Sequence, residues 1–253
     1  MKQPLSILSW NVNGLRSIYR NGGHTWLKES KADIICLQEL KLQEKDFGVL
    51  SIKDCGYFNY ADKKGYSGVA VFTEEKAYRC QTVFGLERFD QEGRFIELSF
   101  PGFTLINLYL PHGGRDKENL AYKLDVYKRL LNHLKKIKDK NVILIGDFNI
   151  AHQEIDLARP KQNKNNIMFT PEERAQIDKL LKFGVVDTFR MFHKDGGHYT
   201  WWPYFANARN RNLGWRIDYC FVSRSLAPVV KNAFILKDVR GSDHCPIGIK
   251  LAI

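Results

Sequence analysis

No apolar stretch of this 253-residue chain approaches the roughly 20 residues that a bilayer-spanning helix needs, which argues against a helical membrane protein. Met1-Lys-Gln-Pro4 carries none of the cationic and apolar pattern of a secretory leader. The five cysteines, Cys36, Cys55, Cys80, Cys220 and Cys245, show neither C-x-x-C nor zinc-ligand spacing, and Cys36 and Cys220 sit inside apolar runs. Buried, reduced thiols and a cytoplasmic address are the expectation. A Pro/Gly/Ser-rich linker, an internal repeat and a low-complexity tract are all missing, so residues 1–253 read as one domain. Acidic residues are also short, 28 against 39 Lys and Arg, and the resulting +11 favours a polyanionic partner, because neutralising phosphates releases counterions.

Short β-branched runs dominate what is present: Leu5–Ser9, Ile34–Leu37, Gly68–Thr73, Phe95–Phe100, Leu105–Leu110, Val142–Ile145, Ile217–Val222 and Pro246–Leu251. Between them, Leu120, Leu124, Tyr127, Leu131, Leu134 and Ile137 recur at three- and four-residue spacing and predict a helix over Asn119–Asp139. Thr170-Pro171 reads as an N-cap followed by proline in the first turn of another. The pattern implies a mixed α/β sandwich, two sheets packed face to face with helices outside. Lys135–Lys140 reads as the solvated end of its helix, and Pro160–Asn166 as a solvated polar loop.

Six of the apolar runs carry a polar residue of catalytic type at or beside an end: Asn11, Glu39, Tyr109, Asp147 with Asn149, Asp218, and Asp243 with His244. Hydrolysing a phosphodiester near neutral pH requires neutralising a developing phosphorane, activating water and helping an alkoxide to leave. Glu39, Asp147 and Asp243, with the amides of Asn11 and Asn149, form a hard-oxygen set suited to Mg²⁺ or Mn²⁺. His244 could accept the proton of the attacking water, and Asp218 could hold its tautomer.

Ser9-Trp-Asn-Val-Asn-Gly-Leu-Arg16, Leu37-Gln-Glu-Leu-Lys41, Asn107-Leu-Tyr-Leu-Pro111, Gly146-Asp-Phe-Asn-Ile-Ala-His152, Asn207-Ala-Arg209, Gly214-Trp-Arg-Ile-Asp-Tyr219 and Gly241-Ser-Asp-His-Cys-Pro246 together resemble the exonuclease III family of apurinic/apyrimidinic endonucleases, in order over nearly the whole chain. The resemblance implies a four-layered α/β sandwich. It implies incision of double-stranded DNA 5′ to abasic sites, with 3′–5′ exonuclease activity and repair of blocked 3′ ends, by a monomer associated with the bacterial nucleoid. Carried over, it makes Glu39 the principal metal ligand with Asn11 and Asp243 nearby, and places Asp147 and Asn149 at a second metal position or the scissile phosphate. His244 counts with this metal set as well. Either Asp147 or His244 takes the water's proton, Tyr109 acts on the phosphate and leaving oxygen as donor or phenolate, and Asp218 orients His244.

The same resemblance assigns DNA contacts. Trp201, Trp215 and Ile217 would line a pocket for the base-less sugar, on strands separate from the metal rim. Phe205 would wedge into the minor groove, Arg115 would enter from the opposite groove, and Arg16, Asn207 and Arg209 would also face DNA. Asn13 stands where some members have aspartate, leaving one carboxylate fewer near the metal, and His112 where asparagine is usual. The alternatives are a phosphatase or lipid phosphodiesterase of the same superfamily, which would not need these aromatics, and a non-catalytic DNA-binding module, which would not need Glu39, Asp147, Asp243 and His244 together.

Overall fold

The computed structural model describes residues 3–44 and 55–253; Met1, Lys2 and the side chain of Cys55 lie outside what is described. Twelve strands form among the described residues, β1 (Leu5–Asn11), β2 (Ile34–Gln38), β3 (Cys55–Asn59), β4 (Val69–Thr73), β5 (Arg79–Gln81), β6 (Phe95–Phe100), β7 (Phe103–Tyr109), β8 (Val142–Asp147), β9 (Val185–Asp187), β10 (Asp218–Ser223), β11 (Val230–Ile235) and β12 (Ile247–Leu251). The helices are α1 (Leu15–Arg20), α2 (Gly23–Glu29), α3 (Glu87–Gln91), α4 (Leu120–Lys136), α5 (Pro171–Phe183) and α6 (Thr188–Phe192). The strands make two six-stranded sheets, ordered β11-β12-β1-β2-β4-β3 and β5-β6-β7-β8-β10-β9.

The central strands are buried on both faces, which is why they read as continuous apolar runs and not as alternating ones. In β2, Ile34 and Cys36 point between the sheets to meet Ile96, Leu98, Leu105, Ile143 and Ile145. Ile35 and Leu37 point the other way, against Leu15, Ile18 and Leu27 of α1 and α2. On the far side, Val126, Tyr127, Leu130 and Leu134 of α4 and Ile177 and Leu180 of α5 cover the second sheet. The layers are therefore α/β/β/α, as the resemblance implied. One polar clamp interrupts the apolar interior: Gln38 Nε2 donates to Asn107 Oδ1 at 2.8 Å, and Asn107 Nδ2 donates to the carbonyls of Leu37 and Ala70. It ties the sheets together directly beneath the end where the polar residues gather.

Helix α5 has the expected start. Thr170 Oγ1 accepts from Glu173 N–H at 3.2 Å, and Glu173 answers on Thr170 N–H at 3.0 Å, a reciprocal capping box. Helix α4 ends at Lys136, three residues before the predicted end, because the chain turns there: Lys140 N–H returns to the Ile137 carbonyl. The prediction also missed the edge strands β3, β5, β9 and β11, the last bulged between Val230 and Asn232. One thiol expectation is corrected. Cys36, Cys220 and Cys245 are buried and unpaired, but Cys80 is exposed on the three-residue edge strand β5, where no sheet covers it.

Candidate active site

Topology explains why these residues meet. β1 and β2 run parallel, as do β7 and β8, so Asn11, Glu39, Tyr109 and Asp147 all leave the same edge of the sandwich. β10 and β12 run antiparallel to them and start at that edge, with Asp218 paired opposite Asp147 and His244 just ahead of β12. Gly146 permits the close approach: its φ is +138°, and a Cβ there would lie 2.0 Å from the Leu108 carbonyl oxygen. Asn13, Glu39 and Asn149 have φ of 44°, 58° and 52°, left-handed conformations that asparagine tolerates and glutamate adopts only when its surroundings impose them. For Glu39 they do, since its carbonyl accepts from Gly14 N–H at 2.8 Å and the following Leu40 N–H donates to Gly68 at 3.1 Å.

Asn11 is fully buried and aims its amide nitrogen at two carboxylates, Glu39 Oε2 at 3.1 Å and Asp147 Oδ2 at 2.9 Å. Its oxygen accepts from Asn13 N–H at 2.9 Å. Asn11 therefore sits between the two carboxylates and orients them, with its oxygen turned to the backbone of Asn13. Lys41, which the sequence reading passed over, places Nζ 2.9 Å from Glu39 Oε1 and donates to Asn13 Oδ1. Asn13 in turn donates to Asp243 Oδ1 at 2.9 Å. Trp201 Nε1 donates to Asp243 Oδ2 at 3.0 Å. The expected separation of aromatic pocket from metal rim therefore does not hold, because one tryptophan belongs to both. Burial works against charge on Asp243, but His244 and the bonds from Asn13 and Trp201 outweigh it and hold the carboxyl below its ordinary range.

Asp147 takes Asn149 N–H on Oδ1 at 2.8 Å, and Asn149 Nδ2 reaches both Asp147 Oδ2 at 3.2 Å and the Leu110 carbonyl at 2.9 Å. His244 Nδ1 lies 2.9 Å from Asp218 Oδ2, and its Nε2 faces Asp147 Oδ2 at 3.9 Å. The backbone of His244 is held by Trp10 Nε1 donating to its carbonyl and by Ser242 Oγ accepting from its N–H. Burial and the neighbouring Asp218 charge push Asp147 up to about 7 despite His244, Asn11 and Asn149. Burial disfavours a charged His244, yet Asp218, then Asp147 and Asp243, raise it to about 10. Burial and the Glu39 carboxylate likewise hold the Tyr109 hydroxyl well above the ordinary phenol value, against the pull of Arg94 stacked 4.3 Å from its ring.

Ligand atoms of Asp147, Asp218 and His244 lie within 4.8 Å of one another, a group able to hold a metal ion. The 2.9 Å contact between His244 Nδ1 and Asp218 Oδ2 has hydrogen-bond length and engages one atom of each, leaving Asp218 Oδ1 without a partner. Glu39 and Asp147, joined through the Asn11 amide, offer the hard oxygens. Sulfur is absent from the set, and Glu39 is partly solvent-accessible. These donors fit a hard divalent cation.

Beside this rim lies a cleft of about 920 Å³, walled by Trp201, Trp215 and Met168 and bordered by His112, Arg115, Phe205 and Arg211. Phe205 and its neighbour Tyr204 are three-quarters exposed, unusual for large aromatics and suited to insertion into a partner. Ile217 is corrected from wall to backing: it is buried behind Trp215 and does not border the cleft. Arg209 has a structural role as well. Its guanidinium donates to the carbonyls of Ser242, Lys237 and Val239, so it anchors the loop carrying Asp243. Asn207 is exposed with its oxygen on Asn210 Nδ2, and Arg16 is exposed at the start of α1. The tract read as a solvated loop supplies a wall as well: Gln162, Asn163, Asn165 and Asn166 border the cleft, and the repeated asparagines were the available signal.

The Endonuclease/Exonuclease/phosphatase family model matches residues 8–244. An exodeoxyribonuclease of Bacillus subtilis is 44% identical over 252 residues, 98% of this chain and 100% of that protein. Among solved structures, an AP endonuclease from Archaeoglobus fulgidus superposes with a TM-score of 0.89 at 31% identity, covering 98% of this chain and 100% of the other. A 3′ phosphatase from Neisseria bound to product DNA hairpin does so with a TM-score of 0.89 at 28% identity, over 98% and 100%.

Proposed function

Because the chain belongs to the endonuclease/exonuclease/phosphatase family, we propose that it is a divalent-metal-dependent DNA repair nuclease that cleaves the phosphodiester 5′ to an abasic site and processes 3′ ends in the same site. The observation that carries this reading is Trp201. Its ring walls the cleft while its N–H holds Asp243, so whatever enters the cleft is presented to the catalytic rim. A base-less sugar fits such a slot at low unstacking cost, whereas a normal nucleotide would bring its base along.

Mg²⁺ or Mn²⁺ held by Glu39, with Asp243 nearby, would supply Lewis acidity at the phosphate. The chain's own groups do the rest. Asp147, pushed up to about 7, is a carboxylate of suitable basicity to take the proton of the attacking water. His244, held as imidazolium by Asp218, faces the same space and donates to a phosphate oxygen as negative charge develops. Tyr109 keeps its proton and serves as a donor toward the phosphate, which favours the phenol over the phenolate role. Asn149 fixes Asp147, and Arg115, with the rest of the basic border, attracts the DNA backbone. The whole chain acts as one catalytic domain, in the cytoplasm.

The decisive experiment is cleavage of a duplex containing one abasic analogue, with Mg²⁺ and with chelator, beside an undamaged duplex and a 3′-phosphorylated nick. Metal-dependent incision at the analogue is expected. Binding without cleavage would favour a non-catalytic module, and hydrolysis of small phosphate esters with neither DNA product would favour a superfamily phosphatase.

A further inference from the structure

Lys123 of α4 and Glu173 of α5 form an ion pair with both side chains fully buried, Nζ 2.5 Å from Oε1, outside the constellation described above. Such a pair is weak evidence for stability, since apolar replacements often serve a fold equally well. What its atoms hold is therefore the better guide to its use. Lys123 Nζ also donates to the carbonyl of His112 at 3.0 Å and of Asn149 at 2.7 Å. Glu173 accepts from the backbone N–H of Met168 at 3.1 Å and of Thr170 at 3.0 Å. Every partner is main chain, and the segments concerned are the loop after β7, the loop after β8 and the strap entering α5. Two of the four have left-handed backbones, Asn149 at φ 52° and Met168 at φ 69°. The second is uncommon for an unbranched apolar residue and needs its surroundings to impose it. Asn149 holds Asp147, while Met168 forms part of the cleft wall.

We propose that the Lys123–Glu173 pair is a positioning device for the reaction: it fixes the peptide planes of Asn149 and Met168, and so sets the aim of Asp147 and the shape of the cleft. Neither residue touches substrate. The inference rests on the assignment of Asp147 and Asn149 to the chemistry. A pair serving stability alone would have no need to converge on the loops of the site, and α4 already packs on the sheet through Val126, Tyr127, Leu130 and Leu134.

The test compares steady-state incision of a duplex with one abasic analogue, in Mg²⁺, by wild type, Lys123→Met, Glu173→Gln and Leu134→Ala, the last making a cavity in the same helix three turns away. Melting temperatures are recorded, and assays run where each variant is folded by circular dichroism. Misplacing reacting groups by about 1 Å costs on the order of 100-fold. Lys123→Met and Glu173→Gln are expected to lose kcat roughly 10- to 100-fold with KM within about threefold, while Leu134→Ala keeps kcat within about threefold at an equal or larger loss of melting temperature. If Lys123→Met does not fold, Glu173→Gln, which preserves side-chain volume, carries the comparison. A kcat loss no greater than that of Leu134→Ala, or a loss confined to KM, overturns the proposal. Asp147→Asn is measured alongside: full turnover there would remove the site assignment itself, whereas its inactivity beside an active Lys123→Met would remove only the positioning role.

Discussion

Replacing Asp218 by asparagine isolates the charge that holds His244. Holding an imidazolium to about pH 10, where an unperturbed ring titrates near 6.5, corresponds to about 5 kcal/mol, with burial opposing and Asp218, Asp147 and Asp243 supporting it. In Asp218→Asn the largest supporting contribution is gone while burial remains, so the ring becomes neutral at pH 7. The new amide could still accept from Nδ1, but its NH₂ would then replace the Asp218 oxygen that has no partner, leaving a buried donor unmet at about 1–3 kcal/mol. The raised value of His244 has a definite sign in stability: its contribution is full below pH 6.5 and is lost as pH rises through about 10. Wild-type melting temperature should therefore fall between pH 7 and 10 more steeply than that of the variant. Turnover should drop about 10²–10⁴-fold at pH 7 with KM little changed, because the donor acts on the transition state. The assays are single-turnover incision and thermal unfolding across pH 6–10. Turnover within about threefold of wild type, with an unaltered alkaline dependence of melting, would refute the reasoning.

Other perturbations probe the remaining parts of the site. Trp201→Phe keeps the cleft wall but removes the N–H on Asp243; metal affinity by calorimetry should weaken roughly 10-fold while preference for abasic sites persists, and unchanged affinity would detach Trp201 from the rim. Trp215→Ala should cost about 3–5 kcal/mol by opening a buried site and should lower the ratio of abasic incision to cleavage at ordinary nucleotides; a preserved ratio would shift discrimination to duplex bending. Asp147, pushed up to about 7, carries its proton below that pH, so Mg²⁺ binding should release a proton and strengthen as pH rises to about 7, then level off; calorimetry in buffers of different ionisation heat checks this, and equal release by Asp147→Asn would contradict it. Arg115→Ala should flatten the log–log salt dependence of duplex binding by about 0.9, and an identical slope would mean DNA lies elsewhere.

The layers were legible because strands buried on both faces leave continuous apolar runs, and the polar ends of those runs are conspicuous against them. Glu39, Asp147 and His244 were visible as polar residues beside the ends of such runs, and the strand directions bring those ends to one edge. The orientation of an amide was not legible. Whether Asn11 offers nitrogen or oxygen is decided by Asn13 N–H and by two carboxylates, one of them 136 positions away. The hydrogen bonds of Trp201 and Arg209 were hidden for the same reason: their polar groups meet Asp243 and Ser242 only after the loop and β12 have docked, 42 and 33 positions apart. β5 and β9 escaped because three residues are too few to show a period.

Charge is distributed here in a way that composition alone conceals. A surplus of +11 suits a polyanion, yet the floor of the site collects Glu39, Asp147, Asp218 and Asp243, each of which would repel phosphate. Two cationic groups of the chain offset part of this, Lys41 on Glu39 and the imidazolium of His244 on Asp218. Among the described residues that leaves Asp147 and Asp243 without a cationic group at hydrogen-bond distance, His244 Nε2 standing 3.9 Å from Asp147, and it is on their side that Trp201 and the cleft open. The basic border can then attract DNA over the whole face, but favourable contact with the floor requires a further positive charge. In this arrangement affinity and chemistry depend on different cations: surface arginines and lysines set the first, and the ion held by the oxygens sets the second. Binding of undamaged duplex can thus survive metal removal even though cleavage cannot.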